Sequence, residues 1–230
     1  MDTVSYVLLA LTVVISATFV YLSQGQVSLK SQVLKALSSF LFTLLGLYAG
    51  FLNGLSSGSL FFIIGLIASC FGDLILALPE WPELKEKKQR LIVFGGFSFA
   101  IAHTAYYVAM ISTFGWSGWT LPAAVVFAAI FYFFNRKVHK IDYGKLTPGI
   151  FLYAFFVSLV LCQGLYAIAA RAFDAYSVLL AVGFFLFYIS DVVLMQIYFG
   201  GKESSRTAYN YNLSFYYAAQ IMLATSLYFI

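Results

Sequence analysis

A chain of 230 residues that is 62% hydrophobic and 10% charged, with a mean hydropathy of +0.91, is excluded from the ordinary soluble proteins. Its net charge of +4 is spread through short polar connections without a basic groove pattern, which argues against nucleic acid as a partner. Both cysteines, Cys70 and Cys162, lie in apolar runs and carry no information about redox compartment.

Apolar stretches near 20 residues predict eight transmembrane helices in a single membrane domain over 1–230, an all-α polytopic integral membrane fold. The first covers 4–22; lacking a basic region before it and too long for a signal-peptide core, it reads as a retained span. The second, 36–55, carries Gly46, Gly50 and Gly54, a face bared for close helix approach. The rest are 60–78, 91–113, 117–135, 149–170, 176–199 and 209–230. Backbone satisfaction in lipid favours helices here over barrel strands of about 10 residues.

The connections after spans one, three, five and seven hold Lys30 and Lys35; Lys85, Lys87, Lys88 and Arg90; Arg136, Lys137, Lys140 and Lys145; and Lys202 and Arg206. These are twelve of the thirteen Lys and Arg residues, against Arg171 on the other side. The positive-inside rule then puts both termini on the non-cytoplasmic side. A short, loop-poor chain of this topology fits a bacterial inner (cytoplasmic) membrane. A parallel four-plus-four repeat is suggested by Gly65 and Gly183, each eight residues before an aspartate, and by Ser98-Phe99 and Ser214-Phe215 in the following spans. Coincidence in so apolar a chain is the other reading.

Those aspartates, Asp73 in the third span and Asp191 in the seventh, sit where carboxylates are costly, roughly 2.5–3.5 kcal/mol each on insertion scales. A rise of about 1.5 Å per residue puts Asp73 roughly 8 Å and Asp191 roughly 12 Å inside the cytoplasmic boundary. Tyr216, Gln220 and His103 on antiparallel spans reach about 11, 17 and 18 Å on the same scale. Helical spacing adds Tyr188 and Ser190 beside Asp191, Tyr106 beside His103, and Tyr217 beside Tyr216, so four helices could line one polar pocket. Structural roles compete with this: interhelical pairing for the aspartates and His103, interface belts for the tyrosines. Lys88, Arg90, Arg136 and Arg206 could hold a lipid phosphate besides setting topology.

Gly72-Asp73-Leu74-Ile75-Leu76, then Phe97, His103 and Tyr106, then Phe187 with Ser190-Asp191, and finally Tyr216-Tyr217-Ala218-Ala219-Gln220 resemble the YhhN-type lysoplasmalogenase family of eight-span membrane proteins. The resemblance covers about the last two-thirds of the chain, the first two spans contributing little. It implies hydrolysis of the vinyl ether bond of a lysophospholipid substrate, lysoplasmalogen, giving a fatty aldehyde and a glycerophospho-ethanolamine or -choline.

That chemistry suits two carboxyl groups. Protonation of the outer vinyl carbon gives an oxocarbenium ion that water captures, so one carboxyl must stay protonated and another ionised, without metal or cofactor. Asp191, with the more apolar neighbours Phe187, Tyr188 and Val192, is expected to be the acid and Asp73 its ionised partner, although the roles could be reversed. His103 completes the catalytic set; Tyr106, Tyr188, Ser190, Tyr216, Tyr217 and Gln220 are the expected substrate-binding residues. The rival readings are a proton-coupled transporter with Asp73 and Asp191 as relay, an intramembrane aspartyl protease, and a lipid-binding protein without turnover. The lipid bilayer is the other partner expected, and nothing in the sequence specifies an oligomeric state.

Overall fold

Eight long helices form where the eight apolar runs lie. The computed structural model describes residues 1–23, 29–78, 82–202 and 205–230, with the side chains of Leu29, Pro82, Glu83 and Lys85 outside that description. The helices are α1 (Thr3–Ser23), α2 (Leu29–Leu52), α3 (Ser57–Ala77), α4 (Lys88–Phe114), α5 (Thr120–Phe133), α6 (Thr147–Arg171), α7 (Ala175–Phe199) and α8 (Arg206–Ser226). No strand occurs among the described residues.

Their starts follow local chemistry. Ser56 accepts from Ser59 N at 3.1 Å to begin α3, Asp174 from Ser177 N at 2.8 Å to begin α7, and Ser205 from Ala208 N at 3.3 Å to begin α8. Pro148 sits in the first turn of α6, where its missing N–H leaves no partner wanting. A π-helical turn, Phe134–Val138, continues α5.

One helix is less apolar than expected of a span, and one boundary needs correcting. Seven of the helices are long and apolar enough to cross a membrane; α8 is not in that set, because Arg206, Asn210, Asn212 and Gln220 interrupt its apolar character. It packs against α7, α2 and α1, and its Asn212 is matched by Ser190 on α7. Second, α2 begins at Leu29, seven residues before the expected start at 36, so Lys30 and Lys35 are helical residues and not part of a connection. Lys35 is half-buried, which a long aliphatic stem allows by carrying its ammonium toward the polar boundary.

Consecutive helices other than α4 and α5 pack as hairpins, α3 with α4 and α7 with α8 most extensively, and bonds across the bundle fix its ends. Tyr48 near the end of α2 donates to Asp2 before α1 at 2.8 Å, and Asn53 donates to the Leu227 carbonyl after α8 at 2.6 Å. In both the α3/α4 and α7/α8 hairpins, the glycine eight residues before the aspartate receives a side chain of the next helix, Tyr106 on Gly65 and Leu223 on Gly183. Gly72 similarly lies beneath the Phe99 ring, where an added Cβ would stand 2.7 Å from it.

Gly72→Ala is expected to destabilise the bundle by about 1–3 kcal/mol through overpacking. Gly96→Ala, whose methyl would enter open space, should be neutral or stabilising by up to about 1 kcal/mol. Thermal unfolding in detergent measures both. At the other end, the Ser5 hydroxyl and amide and the Tyr48 hydroxyl hold the Asp2 carboxyl down at about 2. The tether is thus complete above the ordinary aspartate value of about 3.9 and is lost as pH falls through about 2. Hydrogen exchange in the first turn of α1 should accelerate over that window, and Tyr48→Phe should narrow it.

Candidate active site

Asp73 is 4% exposed, on α3, and two other helices serve it. The Ser39 hydroxyl of α2 donates to Oδ2 at 2.6 Å, and the Tyr216 hydroxyl of α8 donates to the same oxygen at 2.7 Å. Gln220, one turn after Tyr216, donates its amide to the Tyr216 hydroxyl at 3.1 Å and so orients it. Looser contacts extend the chain of polar groups: Tyr217 to Ser39 at 3.4 Å, Tyr106 of α4 to Gln220 at 3.4 Å, and Ser69 to Tyr106 at 3.3 Å. Hydroxyl bonds beyond about 3.0 Å are weak, so the strong core is Asp73, Ser39, Tyr216 and Gln220. Lys35, one turn before Ser39 on the same face of α2, is near enough to act on Asp73 electrostatically.

Asp191, on α7 and 2% exposed, has one hydroxyl donor among the described residues, Tyr153 of α6 at 2.8 Å on Oδ2. No hydrogen bond joins the two aspartates among the described residues. A cluster of rings links their surroundings: Phe187, one turn before Asp191, lies 5.4 Å from the Tyr216 ring and 4.7 Å from the His103 ring, while His103 lies 6.0 Å from the Tyr153 ring. His103 is 1% exposed and neither ring nitrogen has a hydrogen-bond partner; the Phe99 carbonyl one turn back interacts with it without hydrogen-bond geometry.

Beside this cluster a cavity of about 280 Å³ opens between α4 and α6. Its wall is almost wholly apolar, including Phe97, Phe99, Ile150, Leu152, Phe156 and Met195, and it reaches Tyr153, whose hydroxyl is turned to Asp191. Among the described residues no three His, Cys, Asp or Glu side chains gather as metal ligands would.

The residues singled out in the sequence thus fall into separate groups, not one pocket lined by four helices. Tyr106, Tyr216, Tyr217 and Gln220 join Asp73. His103 sits among the rings between the two carboxylates. Tyr188 is turned to α5, donating to the Phe127 carbonyl at 2.8 Å and packing on Phe131. Ser190 is bound to Asn212, its hydroxyl donating to the Asn212 carbonyl at 3.1 Å and accepting the amide at 2.9 Å, which clamps α7 to α8. Sequence reasoning missed Ser39 and Tyr153. Ser39 offered one signal, a hydroxyl one helical turn from Lys35; Tyr153 offered none among 17 tyrosines.

The fold and site define a helical membrane protein with two buried carboxylates of unequal hydrogen bonding beside an apolar cavity. The chain belongs to the YhhN family, whose sequence model matches residues 30–227. The match takes in all but the first residue of α2 and leaves only α1 outside, so the second span contributes more than expected from the motifs. Comparisons with curated proteins and with solved structures give no match.

Ser39→Ala and Tyr216→Phe should each lower stability by about 1.5–3 kcal/mol, the range for hydrogen bonds to a charged group. Each should show a coupling of about 0.5–3 kcal/mol with Asp73→Asn in a double-mutant cycle, measured by thermal unfolding. Additive losses would mean that the hydroxyls do not act through Asp73.

Proposed function

We propose that the protein is a lysoplasmalogenase-like hydrolase that cleaves the vinyl ether bond of lysoplasmalogen. The observation that carries this reading is the unequal treatment of two buried carboxyl groups: Asp73 receives two short hydrogen bonds on one oxygen, whereas Asp191 receives one. Donated hydrogen bonds favour the ionised form, so Asp73 suits the carboxylate role and Asp191 the acid role. Membership of the YhhN family supports the membrane setting and is suggestive of this hydrolase class.

In the proposed reaction the Asp191 carboxyl delivers its proton to the outer vinyl carbon, and the cation that forms is shared between the inner carbon and the ether oxygen. Asp73 stabilises that positive charge and takes a proton from the attacking water, which adds to the inner carbon as a hemiacetal. Collapse breaks the carbon–oxygen bond to glycerol, the proton held on Asp73 passing to that oxygen and the hemiacetal hydroxyl proton to Asp191; the products are a fatty aldehyde and the glycerophospho-base. Tyr153 holds Asp191 in place, and Tyr216, fixed by Gln220, holds Asp73. In this reading His103, whose ring nitrogens have no hydrogen-bond partner among the described residues, binds the water or a glycerol oxygen. General acid–base groups of this kind contribute about 10²–10⁴-fold each.

A proton-coupled transporter has one observation in its favour, the run of hydroxyl and amide groups from Ser39 through Asp73, Tyr216, Gln220 and Tyr106 to Ser69. An aspartyl protease is less well supported, since its carboxyls share a proton about 3 Å apart and these two have separate partners.

The test is aldehyde release from lysoplasmalogen by purified protein in detergent, where no gradient can drive transport. Wild type should turn over, and Asp73→Asn and Asp191→Asn should each lose about 10²-fold or more while unfolding cooperatively. Wild-type silence in detergent with pH-driven flux in liposomes would favour the transporter instead.

A further inference from the structure

The cavity between α4 and α6 is built differently from the rest of the bundle. Gly65, Gly72 and Gly95 are each covered by a neighbouring side chain, Tyr106, Phe99 and Leu76, so their bareness serves packing. Gly96 on α4 and Gly149 in the first turn of α6 also line the cavity, yet a Cβ built on either meets nothing within 4 Å. A helical glycine costs about 1 kcal/mol relative to alanine, and at these two positions no close helix contact offsets it. What the glycines keep is open space.

The rims of that space face outward. Phe97 is 65% exposed, Leu152 54% and Val93 47%, all on the lipid-facing side of α4 and α6. The inner end is closed by buried Phe99 and Tyr153, the latter bonded to Asp191. A volume of about 280 Å³ is too small for a helix about 10 Å across and falls at the lower edge of pockets for small ligands. A polar head group would find no hydrogen-bond partner on such a wall, whereas a hydrocarbon chain needs none.

We propose that this groove takes a single straight hydrocarbon chain of a one-chain phospholipid sideways from the bilayer, between α4 and α6, and lays it against Tyr153 and Asp191. The proposal deepens the vinyl ether reading and rests on it for what happens at Asp191. Gly96 and Gly149 hold the passage open; Phe97 and Leu152 form its lips.

The probe is a lysophosphatidylcholine whose saturated acyl chain carries a photoreactive diazirine; lacking a vinyl ether, it cannot be hydrolysed by the proposed route. With the full chain in lipid nanodiscs, crosslinks should concentrate on α4 residues 92–100, α6 residues 149–156 and α7 residues 194–199, which line the cavity. Gly96→Leu and Gly149→Leu should each reduce them by about tenfold, the scale on which small steric changes in an apolar pocket act. Two variants on different helices guard against one failing to fold, and Gly96→Ala, adding only a methyl, should retain most of the labelling. Labelling spread over α1 and other lipid-facing helices, or unchanged by both leucines, overturns the groove. Labelling as expected in a protein that releases no aldehyde from lysoplasmalogen leaves the groove standing and removes the proposed reaction.

Discussion

A carboxyl group inside a membrane bundle must be given donors or be neutralised, and much of this structure can be read from that constraint. Asp73 meets it with hydroxyls from two other helices, Ser39 of α2 and Tyr216 of α8, and Asp191 meets it with Tyr153 of α6. Each bond ties together elements distant in sequence, so these polar groups act as pins, as the Ser190–Asn212 pair does between α7 and α8, in a bundle packed largely through apolar side chains. The ring cluster of Phe99, His103, Phe187 and Tyr216 fills the space around the carboxylates and limits the water that reaches them.

The pinned carboxylates sit beside an unfilled apolar space. A cavity in an otherwise packed interior forfeits dispersion contacts on every wall, and here it lies where α4 and α6 part, next to the one hydroxyl that serves Asp191. Two exposed apolar rims and two uncovered glycines leave it open at the outer face of the bundle. Asp191, a chain-sized space and an outward opening thus meet at Tyr153.

Most of the helical frame was legible because a run of about 20 apolar residues has few alternatives in lipid. The start of α2 was not, since Lys30 and Lys35 look like a connection until their stems are allowed to lie along the helix. Asp73, Asp191 and His103 stood out as isolated polar residues in apolar runs, and Gln220 and Tyr216 followed from their one-turn spacing. Tyr188 and Ser190 did not join them for a geometric reason: at about 100° per residue they point roughly 60° and 100° away from Asp191, whereas Phe187, four residues before it, shares its face. Phe187 is accordingly the residue that packs in the ring cluster. Tyr153 carries no pattern of its own and Ser39 only its spacing from Lys35; the packing of α6 on α7 and of α2 on α3 and α8 selects them.

The central claim is that a buried acid protonates carbon, and the mass of the aldehyde formed in heavy water tests it most directly. Purified protein turning over lysoplasmalogen in deuterated buffer should give an aldehyde with one deuterium on the carbon next to the carbonyl. Release should also be slower than in ordinary water, because the proton in flight comes from an exchangeable carboxyl. No aldehyde, or an aldehyde without deuterium at that carbon, would contradict the account.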